Sequence, residues 1–269
     1  MEMNLTDHIA VVSGGASGIG RAVVAELLAE GAAVAIWDIT GTVRSVADEL
    51  AASGGPAAVG IEVDITDQDS VQRSVGQTIE SLGPIDHLVH CAAIGSGHFG
   101  YPFTNLAPDD WSRTLDVNVM GMVRVAHAVA PGMVERKSGT IVFLASVAGQ
   151  FGSQTDPPYS ASKAANINFA QCMAKDLAPH GIRVNTICPG MIETPLNRGV
   201  WQAWHDRQPE GAGLSYAEWA QEKIHNVVPL GRWQQPEDVA DMAVFLLSER
   251  SRNVTGQTIN VDGGFIMHS

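Results

Sequence analysis

Short runs of apolar, often β-branched residues alternate with longer amphipathic segments along most of the chain, and this alternation restricts the possible folds most strongly. Strands of a parallel sheet are buried on both faces and therefore read as continuously apolar, as Ile141-Val142-Phe143-Leu144 does. The pattern predicts strands at residues 9–12, 33–37, 57–63, 87–90, 140–145, 183–188 and 257–261. It predicts helices at residues 21–30, 43–52, 70–82, 111–135, 159–178 and 236–248. Seven strands joined by six crossovers indicate an α/β fold, a doubly wound seven-stranded parallel sheet with helices on both faces.

One long segment interrupts this alternation. A chain of 269 residues with 45% apolar content lies near the upper limit for one hydrophobic core, so we expect a single domain over residues 5–269. Residues 191–235 carry no strand pattern, have helical candidates at 200–207 and 216–227, and hold four tryptophans: Trp201, Trp204, Trp219 and Trp233. We interpret this segment as a lid over a substrate pocket. The alternative is a packed surface excursion whose tryptophans only fill core.

Charge and composition narrow the classes of partner. Sixteen basic and 29 acidic residues give a net charge of −13, which opposes attraction to nucleic acid or to anionic membrane surfaces. The N-terminal residues lack a signal pattern, and no uninterrupted apolar stretch approaches about 18 residues, so we expect a cytoplasmic protein that is not membrane-bound. Cys91, Cys172 and Cys188 form no CxxC pair and the histidines form no HxxxH pair, so we assign no metal site.

A glycine-rich turn follows the first predicted strand and opens the first predicted helix. Gly14, Gly18 and Gly20 let the backbone turn tightly and approach a diphosphate, and the helix N-terminus supplies N–H donors and partial positive charge. The position between strand one and helix one favours a dinucleotide site.

Asp38, at the end of the second predicted strand, predicts which dinucleotide binds. A carboxylate there can accept hydrogen bonds from the adenosine ribose hydroxyls and would repel a 2′-phosphate, which points to NAD rather than NADP. Ser17 in the glycine turn supplies no positive charge for such a phosphate, although Arg44 could approach from the next helix. A helix cap or turn role is the alternative for Asp38.

Tyr159 and Lys163 stand four residues apart in a predicted helix, which places a phenol and an ammonium on one face. A cation within about 5 Å favours the phenolate and lowers the pKa of the phenol. Ser146 lies thirteen residues earlier at the carboxyl end of a predicted strand, where open α/β sheets bind their ligands.

These motifs, in their order and spacing, resemble the short-chain dehydrogenase/reductase family: Gly14-xxx-Gly18-x-Gly20, Asn118, Ser146, Tyr159-xxx-Lys163 and Pro189-Gly190. The resemblance extends from Leu5 to the C-terminus and implies a Rossmann-type fold, an NAD-preferring enzyme and a homotetramer. It implies that Tyr159 is the general acid/base and that Ser146 hydrogen-bonds the substrate oxygen. Lys163 would hold the nicotinamide ribose and lower the pKa of Tyr159, and Asn118 would anchor a water linked to the lysine.

The residue pattern and the resemblance together assign the cofactor contacts to the glycine turn and to the ends of several strands. The assigned residues are Ser13, Gly14, Ser17, Gly18, Ile19, Gly20, Asp38, Ile39, Asp64, Ile65, Cys91, Ala92, Tyr159, Lys163, Pro189, Gly190, Ile192 and Thr194. Asp64 would contact the adenine amino group or cap the next helix. Thr194 would contact the carboxamide end of the cofactor or cap a helix.

The chain departs from the family pattern after the fourth strand. It reads His90-Cys91-Ala92-Ala93 where the family usually has Asn-Asn-Ala-Gly. This loses an amide that normally steadies the central sheet and adds a Cβ beside the cofactor, so we expect altered packing with binding retained. Cys91 is either an oxidant-sensitive thiol or a small buried filler.

The sequence therefore predicts an NAD-dependent dehydrogenase that acts on a secondary alcohol, such as a polyol, sugar or hydroxysteroid-like compound, reversibly to the ketone. One alternative is an NADPH-dependent carbonyl or 3-oxoacyl-thioester reductase. The other is a nucleotide-binding regulatory protein without turnover.

Overall fold

A computed structural model of the protein describes residues 3–52 and 55–267. Neighbouring strands are parallel throughout the described sheet, in the order β3-β2-β1-β4-β5-β6-β7. The strands are β1 (Ile9–Ser13), β2 (Ala33–Asp38), β3 (Ala58–Glu62), β4 (His87–His90), β5 (Gly139–Leu144), β6 (Ile182–Pro189) and β7 (Thr258–Val261). The predicted doubly wound, seven-stranded parallel sheet is confirmed.

Helices cover both faces of the sheet. They are α1 (Gly18–Ala29), α2 (Val43–Ala51), α3 (Gln68–Ser81), α4 (Pro108–Leu115), α5 (Gly121–Arg136), α6 (Pro157–Leu177), α7 (Pro195–His205), α8 (Tyr216–Val227) and α9 (Pro236–Leu247). Apolar side chains of α1, α2 and α9 pack in one core and those of α3, α5 and α6 in the other, with the sheet between them. Side chains alternate along each strand. Val11 therefore packs in the core with α3, α5 and α6, whereas Val12 packs in the core with α1, α2 and α9.

The strand order reverses between β1 and β4. The chain crosses from β1 outward to β2 and β3, then returns past β1 to β4 and continues the other way. A crevice forms at the carboxyl ends of the two strands that flank such a reversal. Ser13 and His90 end these two strands, so the fold places the candidate site beside them.

The helix predicted at residues 111–135 consists of two α-helices separated by a π-helical turn. Pro108 occupies the first turn of α4, which therefore begins three residues before the predicted start. A π-helical turn at Asp116–Met120 then precedes α5 and contains Asn118. By length and composition alone, residues 108–136 could cross a membrane. Met122, Val125 and Val129 of α5 are instead buried against the sheet, as in the core helix of a globular domain.

The irregular segment 191–235 holds α7 and α8. Helix α8 has the predicted bounds and begins at a capping box formed by Ser215 and Glu218. Helix α7 begins five residues before the predicted position 200, because Thr194 caps it and Pro195 follows at its first position. Ile192 and Gln234 form an isolated parallel bridge that brings the two ends of the segment together.

Candidate active site

A cavity of ≈ 800 Å³ opens at the carboxyl ends of the strands and extends under α7 and α8. Almost every predicted site residue lines it: Gly14, Ser17, Gly18, Ile19, Gly20, Asp38, Ile39, Asp64, Ile65, Cys91, Ala92, Ser146, Tyr159, Lys163, Pro189, Gly190, Ile192 and Thr194. Ser13 and Asn118 are buried behind its wall. The topology therefore gathers residues spread over most of the sequence into one cleft.

The glycine turn has no room for side chains at two positions. Gly14 has a φ of +70°, and a Cβ there would lie 2.7 Å from the backbone nitrogen of Ala92. A Cβ on Gly20 would lie 2.1 Å from the carbonyl oxygen of Gly14. The turn therefore keeps its backbone beside the cavity at the N-terminus of α1. This geometry fits a dinucleotide diphosphate, which needs close approach to N–H groups.

Asp38 fixes the glycine turn while facing the cavity. One carboxylate oxygen accepts a hydrogen bond from the Ala16 N–H at 3.0 Å, and the other accepts from the Thr40 N–H at 3.1 Å. Asp38 therefore has the structural role in a turn that was the alternative to ribose binding. A carboxylate has about four acceptor positions, so two of them stay available to ribose hydroxyls.

Asp64 has a local structural role at the end of β3. Its Oδ1 accepts bonds from the Thr66 hydroxyl at 2.7 Å and the Thr66 N–H at 2.8 Å. These bonds, together with the charges of Arg113 and Arg124, lower the pKa of Asp64. The side chain stays ionised at the cavity wall, in a turn before α3 whose N-cap is Asp67.

His90 connects the two central strands through its side chain. Its Nδ1 lies 2.7 Å from the Ser13 hydroxyl, which ties the end of β4 to the end of β1. Burial lowers the pKa of His90 to about 3, and the Lys163 charge acts in the same direction. The ring is therefore neutral at physiological pH and can steady the crevice without adding charge.

Cys91 is held as a thiol. Burial raises its pKa to about 12, although the Lys163 ammonium opposes this rise. Thiolate is the reactive form, so this environment favours the role of a small filler over that of an oxidant-sensitive group.

Lys163 lies against Tyr159 at the centre of the cavity. Its ammonium nitrogen is 5.5 Å from the centroid of the Tyr159 ring and donates a 2.7 Å hydrogen bond to the Leu144 carbonyl. The side chain is buried, and desolvation lowers its pKa to about 8. It remains mostly charged at neutral pH.

The predicted lowering of the Tyr159 pKa is wrong for the protein groups by themselves. Burial raises the pKa of Tyr159 to about 12, and the hydrogen bond with Ser146 only partly offsets this effect. The nearby carboxylate of Asp156 raises it further. Desolvation of the phenolate is the largest of these effects, and the resting side chain is a proton donor.

Ser146 is oriented by the turn that follows β5. Its Oγ accepts a hydrogen bond from the Ala148 N–H at 3.1 Å. An oxygen that already accepts from the backbone keeps its own proton free to donate. The Ser146 hydroxyl is also hydrogen-bonded with Tyr159, so the two groups converge on one point of the cavity.

The side chain of Asn118 is hydrogen-bonded to protein groups. Its Nδ2 donates to the Ile94 carbonyl at 2.8 Å and to the Ser162 hydroxyl at 2.9 Å, and its Oδ1 accepts from the Ile94 N–H at 2.8 Å. Asn118 therefore joins the loop after β4 to the helix that carries Tyr159. The implied role of Asn118 in anchoring a water beside Lys163 stays a prediction.

Sequence reasoning missed Asp156. Its carboxylate accepts hydrogen bonds from the Tyr159 N–H at 3.3 Å and the Ser96 N–H at 2.8 Å, so it caps α6 and holds the loop after β4. It is buried and lines the cavity. Its position immediately before Pro157 and Pro158 was the available signal, since Asp followed by Pro is typical of a helix start.

Segment 191–235 covers one side of the cavity, and its tryptophans mostly pack against neighbouring rings. Tyr216 contacts Trp201, Trp219 and Trp233 at centroid distances of 5.7, 6.2 and 6.1 Å. Among these tryptophans only Trp219 lines the cavity, along with other side chains of α7 and α8. The rings therefore pack against one another as the alternative interpretation expected, and the lid role of the segment stays a prediction.

Comparison with known proteins agrees with this geometry. The family model described as Enoyl-(Acyl carrier protein) reductase matches residues 14–266. The 3-oxoacyl-[acyl-carrier-protein] reductase FabG of Thermotoga maritima is 35% identical over 268 residues, which cover 98% of this chain and 100% of that protein.

Two solved structures extend the comparison. A 3-oxoacyl-[acyl-carrier protein] reductase from Brucella melitensis with bound NAD has a TM-score of 0.84 and 33% identity, covering 99% of this chain and 94% of that one. L-sorbose reductase from Gluconobacter frateurii, complexed with NADPH and L-sorbose, has a TM-score of 0.89 and 29% identity over 100% of both chains. The chain belongs to the short-chain dehydrogenase/reductase family of oxidoreductases.

Proposed function

We propose that this protein interconverts a secondary alcohol and its ketone with NAD(H) as the hydride carrier. The observation that carries the proposal is the convergence of the Tyr159 and Ser146 hydroxyls beside the Lys163 ammonium, in the cavity that the glycine turn borders. This arrangement supplies a proton donor and a second hydrogen bond at one point, which is what reduction of a carbonyl requires.

The protein groups have separate tasks in the reductive direction. When bound, the nicotinamide cofactor would supply the hydride. Tyr159, whose pKa is raised by burial, holds a proton that it can donate to the forming alkoxide. Ser146, whose oxygen accepts from Ala148, donates a hydrogen bond to the same oxygen. Lys163, fixed by Leu144, places a positive charge beside both groups and is suited to hold the nicotinamide ribose.

In the oxidative direction the same groups reverse their tasks. Tyr159 must then be a phenolate that accepts the alcohol proton, and the Lys163 charge stabilises that form. Because the protein groups alone hold the phenol protonated, the resting site can donate a proton to a ketone, whereas alcohol oxidation first requires loss of that proton.

Asp38 supports NAD over NADP. Its carboxylate is fixed at the cavity wall by Ala16 and Thr40, so a 2′-phosphate would approach a negative charge that cannot move away. Arg44 is exposed and does not line the cavity, so it does not offset this charge. The two solved structures named above contain NAD in one case and NADPH in the other, so the preference depends on this chain's own residues.

The first substrate class to test is the 3-oxoacyl or 3-hydroxyacyl thioester. The similar reductases from Thermotoga maritima and Brucella melitensis are named for 3-oxoacyl thioesters, and this supports the class. The similarity to L-sorbose reductase supports polyhydroxy ketones as a second class. Trp219, Val200 and Phe265 make part of the wall apolar, which suits an acyl chain better than a sugar.

Initial rates with NADH and NADPH test the cofactor proposal, with acetoacetyl-CoA and L-sorbose as ketones. We expect faster reduction with NADH, and we expect Asp38→Asn to narrow the difference between the cofactors because it removes the repelling charge. A clear NADPH preference in the unmodified protein would refute the NAD assignment. If Tyr159→Phe matched the unmodified protein in every reaction, the regulatory alternative would replace the enzyme proposal.

The remaining proposals concern assembly and the covering segment. We infer a homotetramer and a lid role for residues 191–235, with a small alcohol or ketone as the partner rather than nucleic acid or membrane. Light scattering after size-exclusion chromatography tests the subunit number, since a tetramer of 28.4 kDa chains should have about four times that mass.

A further inference from the structure

Helix α8 presents one continuous stripe to the cavity. Trp219, Lys223, Asn226 and Val227 all line it, and their spacing places them on one helix face. None of these residues belongs to the predicted cofactor contacts, which lie on the glycine turn, the strand ends and the segment up to Thr194. This stripe therefore faces the part of the cavity left for the substrate.

Lys223 is the cation of this stripe and has no anionic partner. Its ammonium lies 4.4 Å from the centroid of the buried Trp219 ring. Within the part of the chain that the structure describes, no carboxylate forms an ion pair with it. The side chain is half-buried, and desolvation lowers its pKa. Such a charge is costly when neither solvent nor a counter-ion balances it.

Most of the other charged groups at the cavity wall already accept from or donate to protein groups. Asp38, Asp64 and Asp156 accept hydrogen bonds from backbone N–H groups. Lys163 donates to the Leu144 carbonyl, and Arg113 lies near Asp64 and lowers its pKa. Lys223 differs from Lys163 because no described oxygen accepts from it, and it differs from Arg113 because its ammonium lies over the Trp219 ring rather than near a carboxylate.

Two polar side chains that line the same cavity are suited to the same ligand. Asn226 lies one turn further along the stripe and can donate through its amide. On α7, the Asn197 oxygen accepts from the Tyr216 hydroxyl at 3.1 Å, which orients the Asn197 amide and leaves its NH₂ group to donate toward the cavity that the residue lines. An ammonium and two amide donors form a set that suits an anion.

We propose that Lys223, with Asn226 and Asn197, binds an anionic group of the substrate, such as a carboxylate or phosphate, and so selects negatively charged ketones and alcohols. This inference rests on the proposed oxidoreductase function and narrows its substrate class. The bound anion would supply the counter-charge that the protein does not, and the Trp219 ring would shield the pair from water.

Matched pairs of charged and neutral ketones test the inference. The first pair is 4-oxopentanoate and its methyl ester, and the second is acetoacetyl-CoA and the neutral thioester S-acetoacetyl-N-acetylcysteamine. For each pair, the ratio of kcat/KM for the charged member to that for the neutral member isolates the effect of charge. The first pair reports a carboxylate, and the second reports a phosphate of the coenzyme A portion.

We expect Lys223→Met to lower this ratio about tenfold to a hundredfold in at least one pair, as loss of a charged hydrogen bond predicts. Lys223→Arg should keep most of the ratio. Lys175→Met is the matched control, because it also removes one lysine charge, from an exposed position on α6. An unchanged ratio in Lys223→Met would overturn the inference.

Two binding measurements separate the possible sources of failure. The dissociation constant of NADH should be the same in Lys223→Met and Lys175→Met. A selective loss in Lys223→Met would assign the charge to the cofactor and refute the inference. Calorimetric binding of 4-oxopentanoate and acetoacetyl-CoA to the NAD-bound protein needs no turnover. If Lys223→Met binds these anions more weakly than the unmodified protein does, the inference is supported even if the proposed reaction fails. If both proteins bind each anion equally, the inference is overturned.

Discussion

Tyr159 shows how burial and a neighbouring charge compete at one residue. The sequence places an ammonium four residues away, and a cation favours a phenolate. In the folded chain, the Lys163 ammonium donates to Leu144, and both side chains are desolvated. The pKa of Tyr159 therefore rises to about 12, and the protonated form predominates.

This shift predicts different pH profiles for the two directions of the reaction. Below the pKa of Tyr159, the phenolate fraction increases about tenfold per pH unit, so alcohol oxidation should accelerate steadily between about pH 6 and 8. Ketone reduction needs the protonated phenol, which is already present, so its rate should stay nearly flat over this range with respect to this group. Initial rates in both directions at saturating cofactor provide the measurement.

Tyr159→Phe is the control for these profiles. It should lower both rates by about a hundredfold to ten-thousandfold and abolish the rise of the oxidation rate with pH. A plateau of the oxidation rate already below about pH 6 in the unmodified protein would show that Lys163 and bound cofactor outweigh burial.

Among the elements, the π-helical turn at Asp116–Met120 links two parts of the site. Such turns are rare and often occur at functional sites. Here the turn holds the fully buried Asn118, whose amide satisfies both backbone groups of Ile94 and bonds to Ser162. The turn therefore couples the wall after β4 to helix α6.

Asn118→Ala should destabilise this link strongly. It leaves the Ile94 N–H and carbonyl without their partners, and each unsatisfied buried group costs about 1–3 kcal/mol. We expect the free energy of unfolding in urea to fall by about 2–4 kcal/mol, with activity reduced as well. Ser162→Ala removes the Ser162 partner and leaves the Ile94 bonds intact, so its effect should be clearly smaller. Equal losses in the two variants would contradict this account.

The α7–α8 pair depends on a different kind of contact. Tyr216 of α8 contacts Trp201, Trp219 and Trp233, and its ring lies 4.3 Å from the guanidinium carbon of Arg198. This aromatic cluster, rather than a strand or a large core, holds the two helices over the cavity.

Tyr216→Ala should therefore loosen the cover of the substrate. We expect KM for the ketone to rise about tenfold or more, because the side chains of α7 and α8 that line the cavity would no longer be held in place against the substrate. KM for NADH should change much less. Tyr216→Phe keeps the ring contacts and removes only the bond to Asn197, so it should stay closer to the unmodified protein. A larger rise of KM for NADH than for the ketone would exclude this role of the pair.

At the scale of the whole molecule, the strand order creates the site. The reversal between β1 and β4 opens the crevice, and chain segments as distant as residues 13–20 and 189–194 meet across it. A Cβ on Gly18 would lie 3.6 Å from the Thr194 methyl carbon, so the glycine turn and the start of α7 face each other. A ligand bound between these two segments would contact both of them and so link distant parts of the chain.

Bound cofactor should therefore stabilise the entire chain. At a free concentration about one hundred times its dissociation constant, a ligand that binds only the folded state adds about 2.7 kcal/mol. For a protein of this size, we expect NADH to raise Tm by about 5–10 °C in differential scanning fluorimetry. The same concentration of NADPH should raise Tm less, because of Asp38. Tyr159→Phe should keep most of the NADH shift, and equal shifts with the two cofactors would argue against NAD selectivity.

The sequence by itself determined the parallel sheet, the glycine turn and the residues of the site, because strand burial and backbone approach leave local patterns of residue type. Tertiary structure decided the protonation of Tyr159, the partners of Asn118, the hydrogen bond between His90 and Ser13, and the absence of a described ion pair at Lys223. Each of these depends on desolvation or on partners far apart in the chain. Residue spacing along the chain reports neither the burial of a side chain nor its distance from residues far away in sequence. Both are fixed only when the helices pack on the two faces of the sheet.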